Sequence, residues 1–317
     1  MVPMGRHRIH LAAGRAERVD RLLADSLAGC SRRRLQGMIA EGLVRIDGRR
    51  ARKGDVLQGE RWIDVELLAS GALELPPEAE PVVDVLFEDS ACIVLDKPAG
   101  RPGHALRSGE RGTVANFITA RFPECVTVGE TPLEAGLVHR LDTNTSGALL
   151  AARSRDAWGN LRRQFRSRTV GKTYLAVVRG ALRAGGEIVR AIEPDPRSRR
   201  KVRVLAANAG SGRARPAITR YRPLAWTAAA TLLEVEISTG VMHQIRAHLA
   251  SIGHPVLGDT RYGGESVEEG RHLLHARRIA FDHPERGERI TVESPLPRDF
   301  AGALSRAGLQ SRLLLKV

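Results

Sequence analysis

Gly136-Leu137-Val138-His139-Arg140-Leu141-Asp142-Thr143-Asn144-Thr145-Ser146-Gly147 sets an apolar segment directly against a run of turn-forming residues. Leu137, Val138 and Leu141 can anchor a buried strand and Thr143 to Gly147 break it, so the pattern predicts Asp142 at a strand end facing a cleft. Groups that bind or react are commonly presented from such places. An aspartate before Thr-Asn-Thr-Ser is more often a turn cap whose carboxylate bonds nearby backbone amides, so this stretch alone leaves both readings open. His139, beside an apolar strand, reads as a satisfied structural group without a part in proton transfer.

Beyond the turn, Ala148 to Ala151 continue as core, and Ser154 begins a helix with Ala157, Trp158, Leu161 and Phe165 on one face and arginines on the other. Lys172 to Val178 reads as a strand, and Leu233, Val235 and Ile237 alternate with Glu234 and Glu236 as another. A helix follows Ser238-Thr239-Gly240, with Met242, Ile245, Leu249 and Ile252 expected on its buried face, Gln244 and His248 elsewhere, and Gly253 as its stop. Before the central stretch, Cys92 to Leu95 is a strand entering the loop Asp96-Lys97-Pro98-Ala99-Gly100.

A chain of 317 residues is long enough for two domains, one of them large. No run of about 18 apolar residues could span a membrane, and Met1 to Leu11 lack the apolar core of a secretory signal, so the expected place is the cytoplasm. Cys30, Cys92 and Cys125 are far apart and read as reduced and structural, which leaves no metal site in view. The net charge of +14 points to a polyanionic partner. That charge is banded: residues 153–222 carry 19 Lys or Arg against 4 Asp or Glu, residues 71–152 only 6 against 12. Concentration in one band implies a binding surface.

At the amino terminus, Val19, Leu22, Leu23 and Leu27 have helical spacing, and Ser31 caps a second helix carrying Leu35, Met38 and Ile39. Gly42 should end it, and Val44-Arg45-Ile46 leads into an Asp47-Gly48 hairpin turn, with Ile63, Val65 and Leu67 as a closing strand. Arg32, Arg33 and Arg34 start the second helix, where their charge opposes the helix dipole, so contact with phosphate is the better reason for them. Residues 69 to 82, with Pro76, Pro77, Glu74, Glu78 and Glu80, read as an acidic tether.

His-Arg-Leu-Asp-x-x-Thr-Ser-Gly around Asp142 closely resembles the catalytic motif of the RluA-type pseudouridine synthases. The same family is matched by Lys-Pro-Ala-Gly at 97–100 with His104 beyond, by Lys172-x-Tyr174, by Gly240-x-x-His-Gln-Ile-Arg-x-His-Leu, and by Gly-His-Pro-x-x-Gly-Asp ending at Asp259. Residues 1–68 resemble the alpha-L RNA-binding module of a small-subunit ribosomal protein. The resemblance implies an α+β fold: a catalytic domain at 83–317 on a large mixed, mainly antiparallel sheet with flanking helices, after a small α+β RNA-binding domain and the 69–82 linker. It implies an enzyme that turns uridine into pseudouridine in structured RNA, most of all large-subunit ribosomal RNA, with transfer RNA the other candidate. It implies no cofactor, no metal, no membrane and a monomer.

By the same resemblance Asp142 is the catalytic carboxylate, either attacking the anomeric carbon of the sugar or removing the proton beside it. Tyr174 lies against the flipped uracil, and Arg246 pairs with Asp142 and keeps it ionised. Arg140 takes the vacated place of the base, Lys172 and Gln244 join the RNA contacts, and the basic, turn-rich residues 186–223 form an RNA-gripping flap. The chain departs from the family at Val241 and Met242, where an arginine and a threonine are usual, and at Arg101 and Pro102, where apolar residues are usual. Two other classes compete: an inactive RNA-binding or ribosome-assembly factor on the same scaffold, and a hydrolase with paired carboxylates, for which only Asp259 could be the second acid.

Overall fold

The computed structural model describes residues 5–12, 16–27, 32–67, 74–198, 200–206 and 212–309. They fall into two compact units, Met1–Ala72 and Leu73–Val317.

In the first unit, strand β1 (Gly5–Leu11) and the short β2 (Glu17–Arg18) precede helices α1 (Val19–Ser26) and α2 (Arg32–Glu41). β3 (Val44–Ile46), β4 (Arg49–Arg50), β5 (Val56–Leu57) and β6 (Arg61–Leu67) complete it. The antiparallel sheet runs β1-β6-β3-β4, and α1 and α2 bury Val19, Leu22, Leu23, Leu35, Met38 and Ile39 with Ile46, Ile63 and Val65 of the sheet. Asp47 and Gly48 both have positive φ, +46 and +86, the backbone a two-residue hairpin between twisted strands requires. β1 is a strand the sequence reading did not foresee; Ile9 faces Ile63 across it. The side chains of Arg32, Arg33 and Arg34, the capping Ser31 and Cys30 lie outside the described residues.

The second unit is built on nine strands: β7 (Val85–Glu88), β8 (Cys92–Lys97), β9 (Ser146–Ala152), β10 (Gly171–Arg179), β11 (Gly186–Val189), β14 (Ile218–Trp226), β15 (Ala230–Ile237), β16 (Leu274–Asp282) and β17 (Arg289–Glu293). The pair β12 (Ile192–Pro194) and β13 (Val202–Val204) forms a separate hairpin in the basic flap. The order is β11-β14-β15-β10-β16-β9-β8-β7, with β17 also on β16. Among the described residues every pairing is antiparallel but one: β9 runs parallel to β16, Ser146 opposite His275 and Gly147 opposite Ala276. Gly147, at φ +114, passes so close to β16 that a Cβ would lie 2.3 Å from the Ala276 carbonyl oxygen.

Both faces of the middle of this sheet are covered, which is why β8, β9 and most of β10 are apolar and buried, while β11, β14, β17 and β7 toward its margins are partly exposed. Ile93, Leu95, Leu149, Val178 and Leu233 pack with α3 (Val114–Arg121) and α5 (Gln244–Ser251). On the other side Val94, Leu150 and Ala152 meet α4 (Arg155–Ser167), and Leu175, Val177 and Leu232 meet α6 (Arg298–Arg306), a helix the sequence reading passed over. Ser154 caps α4 through its side chain, as its position before the apolar stripe predicts.

Three local expectations are corrected. Residues 137–141 form no strand, only a single bridge from Leu137 to Ala151 and a Val138 amide bond to the Leu150 carbonyl; the strand begins at Ser146, after the aspartate. From residue 74 onward the expected tether is held against the second unit: Leu75 is buried in its core, Asn116 Nδ2 donates to the Pro76 carbonyl at 2.7 Å, and Glu78 takes the Gly112 amide at 2.6 Å. Finally, α5 starts at Gln244 and is buried on nearly every side, Gln244 and His248 included, while Met242 before it is exposed.

Candidate active site

Asp142 sits in the loop that leads into β9, where the Thr145 amide bonds the Asp142 carbonyl at 3.0 Å and closes a turn. Two buried side chains brace this loop. Lys97, fully buried at the end of β8, donates to the carbonyls of Thr143 at 2.8 Å, Arg101 at 2.6 Å and Pro98 at 2.8 Å, so it ties the 98–101 loop to the 142–145 loop. Burial pushes its pKa down to about 7, with the charge of Asp142 pulling the other way. His272 bonds Thr145 Oγ1 at 2.8 Å, and burial lowers its pKa to about 4.

Arg246 comes from α5, more than a hundred residues away, and its guanidinium is shared between two aspartates. Nη1 donates to Asp142 Oδ2 at 2.7 Å, while Nε and Nη2 grip Asp259 Oδ2 and Oδ1 at 2.6 and 2.7 Å. A bidentate carboxylate holds the planar fork in one orientation, so Asp259 aims Arg246 and Arg246 aims Asp142. Asp259 is itself fixed by a tight loop: Gly258 has φ +79, and a Cβ there would fall 1.9 Å from the Arg271 carbonyl oxygen. Among the described residues nothing donates to Asp142 Oδ1, which is left free for chemistry.

Burial acts to raise the pKa of Asp142, but the nearby cations, His243 when protonated and Arg246 at every pH, hold it below the ordinary carboxylate value. Burial also lowers the pKa of His243, so that residue is neutral near pH 7 and Arg246 is the cation that keeps Asp142 ionised there. For Arg246 itself burial opposes the charge, and its hydrogen bonds to Asp259 with the charges of both aspartates outweigh that and raise its pKa.

A cleft of about 550 Å³ opens over Asp142 and is lined by Arg140, Lys172, Tyr174, His243 and Arg246. Tyr174 on β10 is buried; burial and the Asp142 charge raise the pKa of its hydroxyl, which stays neutral. Arg140 is exposed at the rim. Lys172 donates to the Thr239 carbonyl at 3.1 Å and lies over the Phe165 ring, and burial lowers its pKa to about 8. The structure thus brings Asp142, Tyr174, Arg246, Arg140 and Lys172 to one cleft.

Gln244 is a correction. It is 3% exposed, with its amide nitrogen donating to the Ile218 carbonyl and Thr219 Oγ1 and its oxygen accepting from Thr239 Oγ1 and the Val241 amide. All its capacity is spent tying the start of α5 to β14, leaving nothing for RNA. His139 accepts the Leu150 amide at 2.9 Å and stacks on Phe165, and burial lowers its pKa to about 3, as suits a structural group. The sequence assigns no role to Lys97 or His243, and it offers Asp259 only as the second acid of a hydrolase, in a loop that reads as structural. All three stand inside quoted motifs, which was the available signal.

Residues 91–251 match the RNA pseudouridylate synthase family and residues 17–63 match the S4 domain. The chain is 36% identical to the ribosomal large subunit pseudouridine synthase D of Xanthomonas campestris pv. campestris, over 93% of this chain and 89% of that one. It is 33% identical to the protein of the same name from Pseudomonas aeruginosa, over 91% of each. Among solved structures it resembles human RNA pseudouridylate synthase domain containing 4, with a TM-score of 0.56 at 25% identity, covering 71% of this chain and 93% of that one. The match over half the chain, and the identity held across nearly all of it, show that the chain belongs to the RNA pseudouridylate synthase family.

Proposed function

We propose that this enzyme isomerises uridine to pseudouridine in large-subunit ribosomal RNA, with Asp142 as the reacting carboxylate, Tyr174 against the uracil and Arg246 as the group that orients and ionises Asp142. The observation that carries the reading is the fork of Arg246 held by Asp259: it leaves a partly buried, charged carboxylate with one oxygen unbonded in a cleft of about 550 Å³. The reaction breaks the bond from C1′ to N1, turns the base and joins C1′ to C5, with the C5 proton passing to N1 or solvent. The family residues that do this need an anion beside the sugar, and Asp142 is that anion.

A stacked uridine must first leave the helix, at a cost of roughly a few kcal/mol. Stacking on Tyr174, worth about 1–3 kcal/mol, offsets part of it, and Arg140 at the cleft rim fills the space the base vacates. Lys172 and the basic flap hold the flanking phosphates, and the S4 domain docks the larger RNA. The protein works as a monomer in the cytoplasm; the large-subunit assignment is supported by the names of its relatives, and among the described residues no helix is long and apolar enough to cross a membrane.

The test is a pseudouridine map of ribosomal and transfer RNA from cells with and without the gene. Sites should disappear from large-subunit RNA on deletion and return with the wild-type chain but not with Asp142→Asn. Identical maps would overturn the assignment.

A further inference from the structure

His243 lies beside Asp142 with an unusual backbone. Its φ is +55, a left-handed conformation that costs a residue other than glycine on the order of 1 kcal/mol and is retained chiefly where the side chain is needed. Nε2 is 3.8 Å from Asp142 Oδ2, too far for a hydrogen bond. Nδ1 is 2.9 Å from the Tyr262 hydroxyl, which already accepts the Val202 amide at 3.0 Å. The Asp142 carboxylate facing Nε2 favours the ring proton on that nitrogen, which leaves Nδ1 to accept the hydrogen of the Tyr262 hydroxyl. Among the described residues this N–H has no acceptor within bonding distance, although the side chain is only 9% exposed.

An atom that closes the gap must sit about 3 Å from both groups, accept from Nε2–H and donate to the carboxylate. A uracil carbonyl can only accept and would face the negative charge of Asp142. A hydroxyl does both. In an RNA chain the 3′ and 5′ oxygens are in phosphodiesters, so the uridine has one hydroxyl, at C2′, next to the carbon that loses its base. Resting on the synthase reading above, we propose that His243, oriented by Tyr262, binds the 2′-hydroxyl of the uridine on which Asp142 acts, so that the reaction site itself rejects deoxyuridine.

The test uses the full chain and a short RNA spanning a uridine it converts, made with uridine or 2′-deoxyuridine at that position, in competition binding and turnover. Wild type should hold the deoxyuridine RNA about ten- to a hundredfold more weakly. His243→Asn tolerates the left-handed backbone but is too short to bridge; it should weaken the uridine RNA, leave the deoxyuridine RNA unchanged and bring their ratio near one. Tyr262→Phe frees the imidazole to protonate either nitrogen and should lower the ratio several-fold, which decides the matter if His243→Asn does not fold. Equal weakening of both RNAs, an unchanged ratio in both variants, or a wild type indifferent to the 2′ group overturns the proposal. A wild-type chain that converts no uridine in any RNA is a different result: it overturns the synthase reading, and this proposal with it.

Discussion

Two places in the second unit join an aspartate to a histidine and an arginine, and they are built to opposite ends. At the turn between β7 and β8, Asp89 Oδ1 takes the Ala91 and Cys92 amides at 2.9 Å each, and Oδ2 meets His283 Nε2 at 2.7 Å and Arg286 Nη2 at 3.2 Å. His283 Nδ1 in turn accepts the Glu285 and Arg286 amides. With Cys92, whose burial pushes its thiol up to about 12, this group has the composition of a metal site. Yet every lone pair of the carboxylate and imidazole is already engaged, so it pins a turn. Around Asp142 the count differs: among the described residues one carboxylate oxygen and one imidazole nitrogen are left over. Spare bonding capacity, more than residue type or burial, separates the place proposed to react from the structural one.

The comparison is broken most directly at Asp142. Asp142→Asn keeps the shape and loses the charge, so pseudouridine formation should fall by about 10⁴-fold or to background while RNA affinity and thermal midpoint stay near wild type. An active variant would end the distinction. Next in size is Arg246→Ala. Removing one partner of a buried pair costs on the order of 3–5 kcal/mol, here shared between stability and kcat, because both Asp142 and Asp259 lose their cation. The pKa of Asp142 should rise once Arg246 no longer opposes burial, with only protonated histidines left to do so, moving the acid limb of kcat to higher pH, and Arg246→Lys should recover part of the rate without the fork. In a cycle with Asp142→Asn the two losses should be strongly non-additive.

Asp89→Asn should do the reverse of Asp142→Asn: a loss of about 2 kcal/mol in denaturant melts and no change in kcat. The sign with pH follows from its environment. Burial raises the pKa of Asp89, but the amides of Cys92 and Ala91 and the imidazole of His283 bring it below the ordinary value. Its stabilisation is therefore complete above the unfolded carboxyl pKa, near 4, and is lost as pH falls through the folded value. The asparagine variant should flatten that acid loss. The smallest effect concerns Lys172, whose pKa is lowered by burial to about 8. RNA affinity should decline as pH rises through about 8 in the wild type and less so in Lys172→Arg; an equal decline in both would remove Lys172 from the RNA contacts.

Much of the architecture was legible because buried strands advertise themselves: β8, β9 and β10 stand where apolar runs predicted them, and β15 where Leu233, Val235 and Ile237 alternate with Glu234 and Glu236. The pairing of Asp142 with Arg246 was legible only through motif, since no periodicity links residues 104 apart. The misreadings have a common cause. Leu137, Val138 and Leu141 are buried, as their chemistry demands, but burial is satisfied by packing a loop against β9, inside the sheet, and needs no ladder. Gln244 is polar and near the cleft, and the sequence cannot tell an amide spent on Ile218 and Thr219 from one offered to a ligand. Asp259 and His243 gain their meaning only from contacts made by the folded chain.

The parallel seam between β9 and β16 has a bearing on how this enzyme comes into being. Asp142 lies four residues before the seam on one strand, while Arg246 and Asp259 belong to the segment that leads into the other. The seam joins Ser146 to His275, a contact of large sequence separation whose loop-closure entropy must be met before it returns anything, so it belongs among the slower events of folding. Gly147 lets the two backbones meet closely enough for it to form. A nascent or half-folded chain can already carry a finished S4 domain and the antiparallel β7–β8–β9 ladder, and so engage RNA, while its carboxylate has no arginine. On the roles proposed for Asp142 and Arg246, catalytic competence arrives with one long-range docking event, which separates the moment the protein can hold its substrate from the moment it can alter it.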